Sequence, residues 1–243
     1  MASPAHEKRD LEDRVIAIAG VGGGLGPAAA RRLADGGATL ALADRNADRL
    51  GEAGEALGLP KDRLDLQVVD LLDEEAARAW CSSLQERFGR VDGLLHLVGG
   101  WRGGDPLASF DLGDYEWLHD LLVRTLQHST RAFHDALAES GRGRFALVSS
   151  AQAQDPEGAN AAYAAAKGAA ESWTLALADS LAGTGATANI VVINAILTPA
   201  MREAHPRQEH PGFTPAEAIA EALAFLCSDA AARMNGQRLS LHP

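Results

Sequence analysis

Residues 15–26 read Val15-Ile-Ala-Ile-Ala19-Gly20-Val-Gly-Gly-Gly24-Leu-Gly26, an apolar run that passes directly into glycines. Such a short, continuous apolar run is typical of a strand that is buried on both faces of a parallel sheet. Glycines allow the backbone to turn sharply and to approach a ligand closely, because they lack a Cβ atom. Since free N–H groups at a helix N-terminus attract phosphate, this strand–loop–helix order predicts a dinucleotide site.

The same alternation of short apolar runs and longer helical patterns continues along the chain. We predict strands at residues 15–19, 39–43, 64–69, 91–98, 144–148, 189–193 and 237–241. We predict helices at residues 25–35, 47–57, 73–88, 114–138, 161–181 and 215–228. Strands that alternate with helices form parallel sheets through right-handed crossovers. The fold class predicted is therefore α/β, a single-domain, Rossmann-type, doubly wound parallel sheet with helices on both faces.

Composition limits the class of protein. Of the 243 residues, 1–12 are expected to be a flexible polar tail and 13–243 one domain. The net charge of −11 argues against a nucleic-acid partner. No apolar run reaches the roughly 18 residues that span a bilayer, and the N-terminus does not resemble a signal peptide. Cys81 and Cys227 show no pairing pattern, so we expect buried thiols and a cytoplasmic location. Composition and charge together leave a small molecule as the expected substrate.

The glycine loop and the acid that follows the second strand together indicate which cofactor binds. The loop residues expected at the phosphates are Gly20, Gly23, Gly24, Leu25 and Gly26. Asp44 can accept hydrogen bonds from the adenosine ribose hydroxyls and would repel the 2′-phosphate of NADP, which favours NAD. The neighbouring Arg45 could instead offer that phosphate a partner, so NADP is the less favoured cofactor. Alternatively, Asp44 is a surface acid that precedes a helix.

Two further strand ends carry candidate ligand contacts. Asp70 and Leu71 follow the third strand, where they could touch adenine, although a helix-capping role for Asp70 fits equally well. Trp101 follows glycines at the carboxyl end of the fourth strand, where ligands bind in open α/β sheets. It could line the substrate pocket or belong to the core.

A serine, a tyrosine and a lysine carry the predicted chemistry. Ser150 ends the fifth strand, while Tyr163 and Lys167 are one turn apart on the next helix. A nearby ammonium should lower the phenol pKa and suit Tyr163 to proton transfer, with the Ser150 hydroxyl bonding the same substrate oxygen. The alternative is that this tyrosine is merely structural.

Taken together, these motifs resemble the short-chain dehydrogenase/reductase family over nearly the whole chain. The family's T-G-x-x-x-G-x-G corresponds to residues 19–26, with Ala19 in place of threonine, and its Y-x-x-x-K to Tyr163 and Lys167. The resemblance implies that Tyr163 is the acid/base, that Lys167 binds the ribose and that Ser150 orients a carbonyl. It also implies a homodimer or homotetramer and a substrate loop at about 198–213. Further positions that it assigns are the cofactor contacts Val98, Gly99, Ile196 and Thr198 and the substrate contact Met201.

Three departures from the family pattern stand out. The N-N-A-G motif is replaced by residues 96–99, His-Leu-Val-Gly, and the P-G after the sixth strand is missing. The catalytic asparagine is replaced by Leu122, or by Arg124 in a shifted alignment, since no asparagine occurs between Asn46 and Asn160. Proton delivery must therefore differ or be slow.

These observations predict an NAD(P)-dependent oxidoreductase that transfers hydride between nicotinamide and a small carbonyl, alcohol or imine carbon. A non-catalytic NAD-binding sensor or assembly protein is the alternative, because the asparagine and the P-G are lost. A minority interpretation is pterin reduction, since residues 99–104 and 198–206 are similar to the dihydropteridine reductase branch of the family. No metal site is predicted, because His96, His119, His128 and His134 lack ligand spacing.

Overall fold

The computed structural model describes residues 9–204 and 206–242. Its strands are β1 (Val15–Ala19), β2 (Thr39–Asp44), β3 (Leu64–Val68), β4 (Gly93–His96), β5 (Arg144–Ser150), β6 (Thr187–Ile193), β7 (Ala195–Leu197), β8 (Phe213–Pro215) and β9 (Arg238–Ser240). Its α-helices are α1 (Gly26–Asp35), α2 (Ala47–Leu57), α3 (Glu74–Phe88), α4 (Leu112–His119), α5 (Thr125–Glu139), α6 (Ala161–Ser180), α7 (Pro199–Ala204) and α8 (Ala216–Cys227).

Seven of these strands form one parallel sheet in the order β3-β2-β1-β4-β5-β6-β9, which confirms the predicted doubly wound fold. The chain winds outward from β1 through β2 to β3, and then resumes on the other side of β1 with β4. The reversal places a crevice between the carboxyl ends of β1 and β4, which is where ligands bind in sheets of this type.

Helices cover both faces of the sheet, and each face has its own apolar core. On β1, Ile16 and Ile18 face the core shared with α1, α2 and α8, while Ala17 and Ala19 face the core shared with α3, α5 and α6. Every residue of β1 is buried, as expected for a strand inside a two-sided sheet. The sheet therefore holds its central strand ends, and the loops that follow them, in a fixed arrangement.

The segment predicted as one helix at residues 114–138 is interrupted. Between α4 and α5 lies a π-helical turn, Asp120–Arg124. The N–H of Thr125 donates to the carbonyl of Asp120, which leaves the Leu121 carbonyl without its usual α-helical donor. The Thr125 hydroxyl donates to that carbonyl at 2.7 Å instead. A hydroxyl side chain thus stabilises the wider turn, and such turns often occur at functional sites.

Part of the segment predicted as a polar tail contacts the domain. Leu11 is fully buried and its N–H donates to the Gly36 carbonyl at 2.9 Å, and Asp10 forms an ion pair with Arg32 at 2.8 Å. Asp10 and Leu11 therefore contact the domain, and the flexibility of residues 1–12 stays a prediction. Residues 1–8 of the predicted tail lie outside the described residues.

The predicted substrate loop at about 198–213 contains helix α7 and leads into β8. Strands β7 and β8 pair in parallel as a small second sheet, and Arg202 on α7 forms an ion pair with Glu217 on α8. His205, which the prediction includes, lies outside the described residues. Within the described ranges, none of the helices combines the length and the apolarity needed to cross a bilayer.

Candidate active site

Two adjoining cavities follow the carboxyl ends of the central strands. They share Gly23, Leu97, Val98 and Gly99, at the point between β1 and β4 where the winding reverses. After the roles predicted from the sequence, we call them the adenosine cavity, which extends toward Asp44 and β3, and the catalytic cavity, which extends toward Ser150 and α6. Together they form one continuous crevice across the top of the sheet.

The glycine loop lies at the centre of this crevice. Gly20 adopts a φ of +81°, and a Cβ atom on it would come within 2.9 Å of the Val98 nitrogen. A Cβ on Gly24 would lie 2.9 Å from Cγ2 of Thr198. Among the described residues, no side chain caps the N-terminus of α1, so its N–H groups face the loop. These residues fit a pyrophosphate, because the backbone is bare and the helix dipole is positive there.

The far wall of the adenosine cavity carries the acid predicted for the ribose. Oδ2 of Asp44 accepts a hydrogen bond from the Gly22 N–H at 2.9 Å, and Oδ1 accepts one from the Asn46 N–H at 2.9 Å. Exposed Arg45 and Arg49 line the same cavity. Arg49 was not predicted from the sequence. It lies in the first turn of α2, where its N–H donates to the capping side chain of Asn46. Two arginines therefore line the same cavity as the carboxylate.

The acid after β3 has a structural partner as well as a place in the cavity wall. Oδ1 of Asp70 accepts a hydrogen bond from the Leu72 N–H at 2.9 Å. Leu71 is buried, and its carbonyl contacts Nδ1 of His128 at 2.9 Å. Both Asp70 and Leu71 line the adenosine cavity, so the turn-stabilising role and the ligand-contacting position occur together.

Ser150 and Tyr163 meet in the catalytic cavity, as the spacing predicted. Ser150 is buried at the end of β5, and Tyr163 lies in the first turn of α6 on the wall of the same cavity. Burial raises the pKa of the Tyr163 phenol above its usual value, and the Ser150 hydroxyl opposes that rise only in part. The shift is therefore opposite to the lowering expected from Lys167, because loss of hydration disfavours the phenolate.

Lys167 lies one helical turn beyond Tyr163 and is buried. Its Nζ donates to the Val148 carbonyl at 2.9 Å and lies 5.8 Å from the centre of the Tyr163 ring. Burial lowers the pKa of Lys167 to about 8, although the Glu171 carboxylate one turn further along α6 acts to raise it. Lys167 therefore bonds the main chain of β5 and lines the catalytic cavity.

His96 occupies the place of an asparagine in the family motif and is fully enclosed. Its Nε2 lies 3.3 Å from the Thr125 hydroxyl and its Nδ1 lies 3.1 Å from the Ser129 hydroxyl. Burial lowers its pKa to about 3, with a smaller contribution from the charge of Lys167, so the ring is neutral near pH 7. His96 thus joins β4 to α5 through hydrogen bonds rather than acting as an exposed acid.

The two positions considered for the missing asparagine both lie in the π-helical turn. Leu122 is buried there, and the exposed Arg124 donates to the Asp120 carboxylate at 2.9 Å. Neither side chain carries a carboxamide, and no other residue of this turn, Asp120–Arg124, carries one in place of the family's asparagine.

The remaining predicted contacts separate into two groups. The first group lines the catalytic cavity and consists of Gly24, Leu25, Val98, Gly99, Trp101 and Ile196. Thr198 lies beside Gly24 in a neighbouring depression between α1 and α8, where its hydroxyl accepts the N–H of Met201 at 3.2 Å. Met201 is absent from the walls of both cavities. Gly26 is buried at the start of α1, with no space for a Cβ beside the Val21 carbonyl.

Sequence reasoning missed several polar residues of the catalytic cavity. Gln152, Asn160 and Asn194 line it, together with the buried hydroxyl of Ser149, for which the described residues provide no partner. Gln152 lies two residues after Ser150 at the end of β5, and this position in the sequence indicates that it is near the cavity. Asn160 lies three residues before Tyr163, immediately before α6, and no pattern in the sequence singled it out. The described residues contain no cluster of His, Cys, Asp or Glu that could hold a metal ion.

Comparison with known proteins places this site in context. A protein-family model described as "Enoyl-(Acyl carrier protein) reductase" matches residues 20–241. The chain is 31% identical to levodione reductase of Leifsonia aquatica, over 97% of this chain and 95% of that protein. It is 33% identical to sulfoacetaldehyde reductase 2 of Chromohalobacter salexigens, over 70% of this chain and 68% of that one. The crystal structure of levodione reductase superposes with a TM-score of 0.85 and 29% identity, over 96% and 97% of the two chains.

Proposed function

The chain belongs to the short-chain dehydrogenase/reductase family and is an NAD(P)-dependent oxidoreductase, and from this premise we propose that it reduces a small carbonyl substrate with Tyr163 as proton donor. The observation that carries the proposal is the meeting of Ser150, Tyr163 and Lys167 in a cavity continuous with the glycine loop. Two strand ends and one helix, separated in sequence, converge there.

Each of these residues has a distinct task in the proposed reduction. When bound, the nicotinamide cofactor supplies hydride. The Ser150 hydroxyl and the Tyr163 phenol hold the substrate oxygen, and the raised phenol pKa keeps Tyr163 protonated at neutral pH. Tyr163 then gives its proton to the oxygen as negative charge develops on it. Lys167 stabilises the phenolate that remains, because its ammonium is buried close to the ring.

We propose NAD as the preferred cofactor. Asp44 has lone pairs to spare after it accepts the Gly22 and Asn46 N–H groups, and can therefore accept ribose hydroxyls. A 2′-phosphate would meet its negative charge. Arg45 and Arg49 reduce that repulsion, so we expect a preference for NADH over NADPH of moderate size rather than exclusion of NADPH.

The test is to follow NADH oxidation with a panel of substrates. The panel contains quinonoid dihydropterin, quinones, simple ketones, β-ketoesters, levodione and sulfoacetaldehyde, of which the last two are the substrates named for similar proteins. We expect at least one to turn over, and Tyr163→Phe to lower kcat/KM by about 10²–10⁴-fold while NADH still binds. Tyr115→Phe is a matched control, since Tyr115 is the only other tyrosine and packs against His119 instead.

Two results would contradict the proposal. If NADH binds saturably and no substrate turns over, the non-catalytic alternative gains support, with the missing asparagine as its leading explanation. If Tyr163→Phe and Tyr115→Phe retain equal activity, the catalytic role of Tyr163 is wrong.

We also propose a cytoplasmic homodimer or homotetramer. Cys81 and Cys227 are buried free thiols, and burial raises the pKa of each to about 12, as suits unreactive cysteines in a reducing compartment. A depression between α5 and α6, lined by Thr130, His134 and Trp173, offers a face for a second copy. Light scattering at micromolar concentration would test this, and a monomer would contradict it.

A further inference from the structure

Gln152 presents a hydrogen-bond donor to the catalytic cavity that the reaction at Ser150 and Tyr163 does not use. Its Oε1 accepts the main-chain N–H of Glu157 at 2.9 Å. Because a main-chain N–H can only donate, this contact fixes which end of the carboxamide is oxygen. The NH₂ end has no acceptor among the described residues, although Gln152 lines the cavity. It is available to an oxygen atom of a ligand.

The indole of Trp101 forms a wall of the same cavity and is held in place. Its Nε1 donates to Oδ1 of Asn160 at 3.1 Å, and Nδ2 of Asn160 donates to Oε2 of Glu157 at 3.2 Å. The N–H of Gly104 donates to the Ala159 carbonyl at 2.8 Å, which fastens the loop that carries Trp101. Trp101 is nevertheless 58% exposed, so a fixed, flat, apolar surface remains uncovered. Such a surface favours a ring that packs against it.

The charges around the cavity disfavour an anionic substrate. Of the residues that line it, all within the described part of the chain, Lys167 is the one cation, and it is directed to Val148 and the catalytic phenol. Arg102 follows Trp101 but is held elsewhere, since it pairs with Asp114 and packs over the Trp117 ring at 4.0 Å. An acidic group on the substrate would therefore lose hydration without gaining a counter-ion.

We infer that the substrate is an uncharged ring ketone with a second oxygen atom, which Gln152 binds while the ring packs against Trp101. This inference rests on the proposed reductase function and names the substrate class for it. Ser150 and Tyr163 hold the oxygen that is reduced, and the Gln152 amide orients the ring by its other oxygen. Gln152 and Trp101 are in this sense specificity-determining residues.

The first experiment compares matched ring ketones with the full chain and NADH. The reference is cyclohexanone. 1,4-Cyclohexanedione and 2-hydroxycyclohexanone add an oxygen, and 4-oxocyclohexanecarboxylate adds a charge. We expect the better of the two oxygen-bearing probes to exceed cyclohexanone in kcat/KM by about tenfold, well above the roughly twofold statistical advantage of two equivalent carbonyls. Neither probe exceeding cyclohexanone, or a carboxylate preferred over both, would overturn the inference.

A second experiment assigns the effect to Gln152. We expect Gln152→Ala to remove the advantage of the second oxygen, so that the ratio of kcat/KM for the oxygen-bearing probe to kcat/KM for cyclohexanone falls by about tenfold. The control is Gln154→Ala, because Gln154 lies two residues away, outside the cavity walls, and should leave all ratios unchanged. An equal loss for every probe would mean that Gln152 acts only through its bond to Glu157, which overturns the assignment.

Calorimetry separates failure of this inference from failure of the proposed function. The sample is Tyr163→Phe saturated with NADH, which binds but should not turn over. Binding of an oxygen-bearing probe that is about tenfold weaker when Gln152→Ala is added supports the substrate class even if the natural chain shows no turnover. Binding that is equal for cyclohexanone and both oxygen-bearing probes overturns the substrate class, whatever the activity.

Discussion

The carboxylate of Asp44 at the end of β2 accepts a hydrogen bond from the main-chain N–H of Gly22 in the glycine loop, at 2.9 Å. The residue proposed to recognise the ribose therefore also holds the loop proposed to bind the phosphates. A Cβ atom on Gly22 would come within 2.9 Å of the same carboxylate oxygen, so the two groups are in close contact. The charge of the Asp44 carboxylate and the conformation of the glycine loop therefore depend on the same contact.

Substitution of Asp44 can separate these two roles. Asp44→Asn keeps an oxygen for the Gly22 N–H and removes the charge, so we expect the NADH to NADPH ratio of kcat/KM to fall about tenfold, a loss of roughly 1.4 kcal/mol. Asp44→Ala also removes the loop contact, so both cofactors should bind more weakly. Steady-state kinetics with each cofactor provides the measurement, and an unchanged ratio in Asp44→Asn would contradict the ribose role.

The glycine loop allows a second prediction with an internal control. Gly20→Ala should lower stability by about 1–3 kcal/mol and weaken NADH binding, because its φ is +81° and Val98 blocks the Cβ. Gly51 lies inside α2, where a Cβ would meet no neighbouring atom within 4 Å. Gly51→Ala should therefore stabilise the protein by about 0.5–1 kcal/mol. Urea unfolding measures both, and equal effects would contradict the role of φ at Gly20.

The pH dependence of NADH use should report on Lys167. Because burial lowers the pKa of this lysine to about 8, its charged form is lost as the pH rises through that value, and kcat/KM for NADH should fall. Its neighbours include Tyr163, neutral His96 and the buried Glu171, which raises its pKa. Glu171→Gln should therefore move the alkaline limb of the profile to lower pH.

A control for this shift lies on the same helix. Asp179→Asn removes an exposed carboxylate three turns beyond Lys167 and should leave the profile unchanged. Glu171 also accepts hydrogen bonds from the side chains of Arg238 at 2.6 Å and Gln154 at 3.4 Å. Its replacement can therefore alter stability as well. Destabilisation alone would lower the amplitude of activity, whereas an alkaline limb that stays in place would contradict electrostatic coupling to Lys167.

Buried His96 should make the protein less stable in acid. Its pKa is about 3 in the folded protein and near 6.5 when unfolded, so between these values the unfolded state binds more protons and stability falls as pH falls. His96→Gln should show a shallower decline in unfolding free energy from pH 7 to pH 4. His134→Gln, at a partly exposed ring, should retain the original slope. Denaturant unfolding at several pH values would decide, and parallel curves for all three proteins would contradict this assignment.

The interrupted helix between β4 and β5 shows a limit of sequence reasoning. The apolar pattern over residues 114–138 correctly predicted helical structure, but the π-helical turn depends on whether Thr125 donates its N–H to Asp120 or to Leu121. The π-helical arrangement is accompanied by two contacts of the Thr125 hydroxyl, which donates to the Leu121 carbonyl and lies beside His96 on β4. A periodicity that averages over several turns does not contain this information.

Local signals in the sequence determined the order of strands and helices, the glycine loop and the Tyr163–Lys167 pair, because each depends on residues within a few turns of one another. Tertiary structure alone decided which residues share the crevice. The glycine loop, Ser150 and Tyr163 come from separate parts of the chain and meet because parallel strands bring their carboxyl ends to one edge. It also decided the direction in which the pKa of Tyr163 shifts, because packing removes water from the phenol.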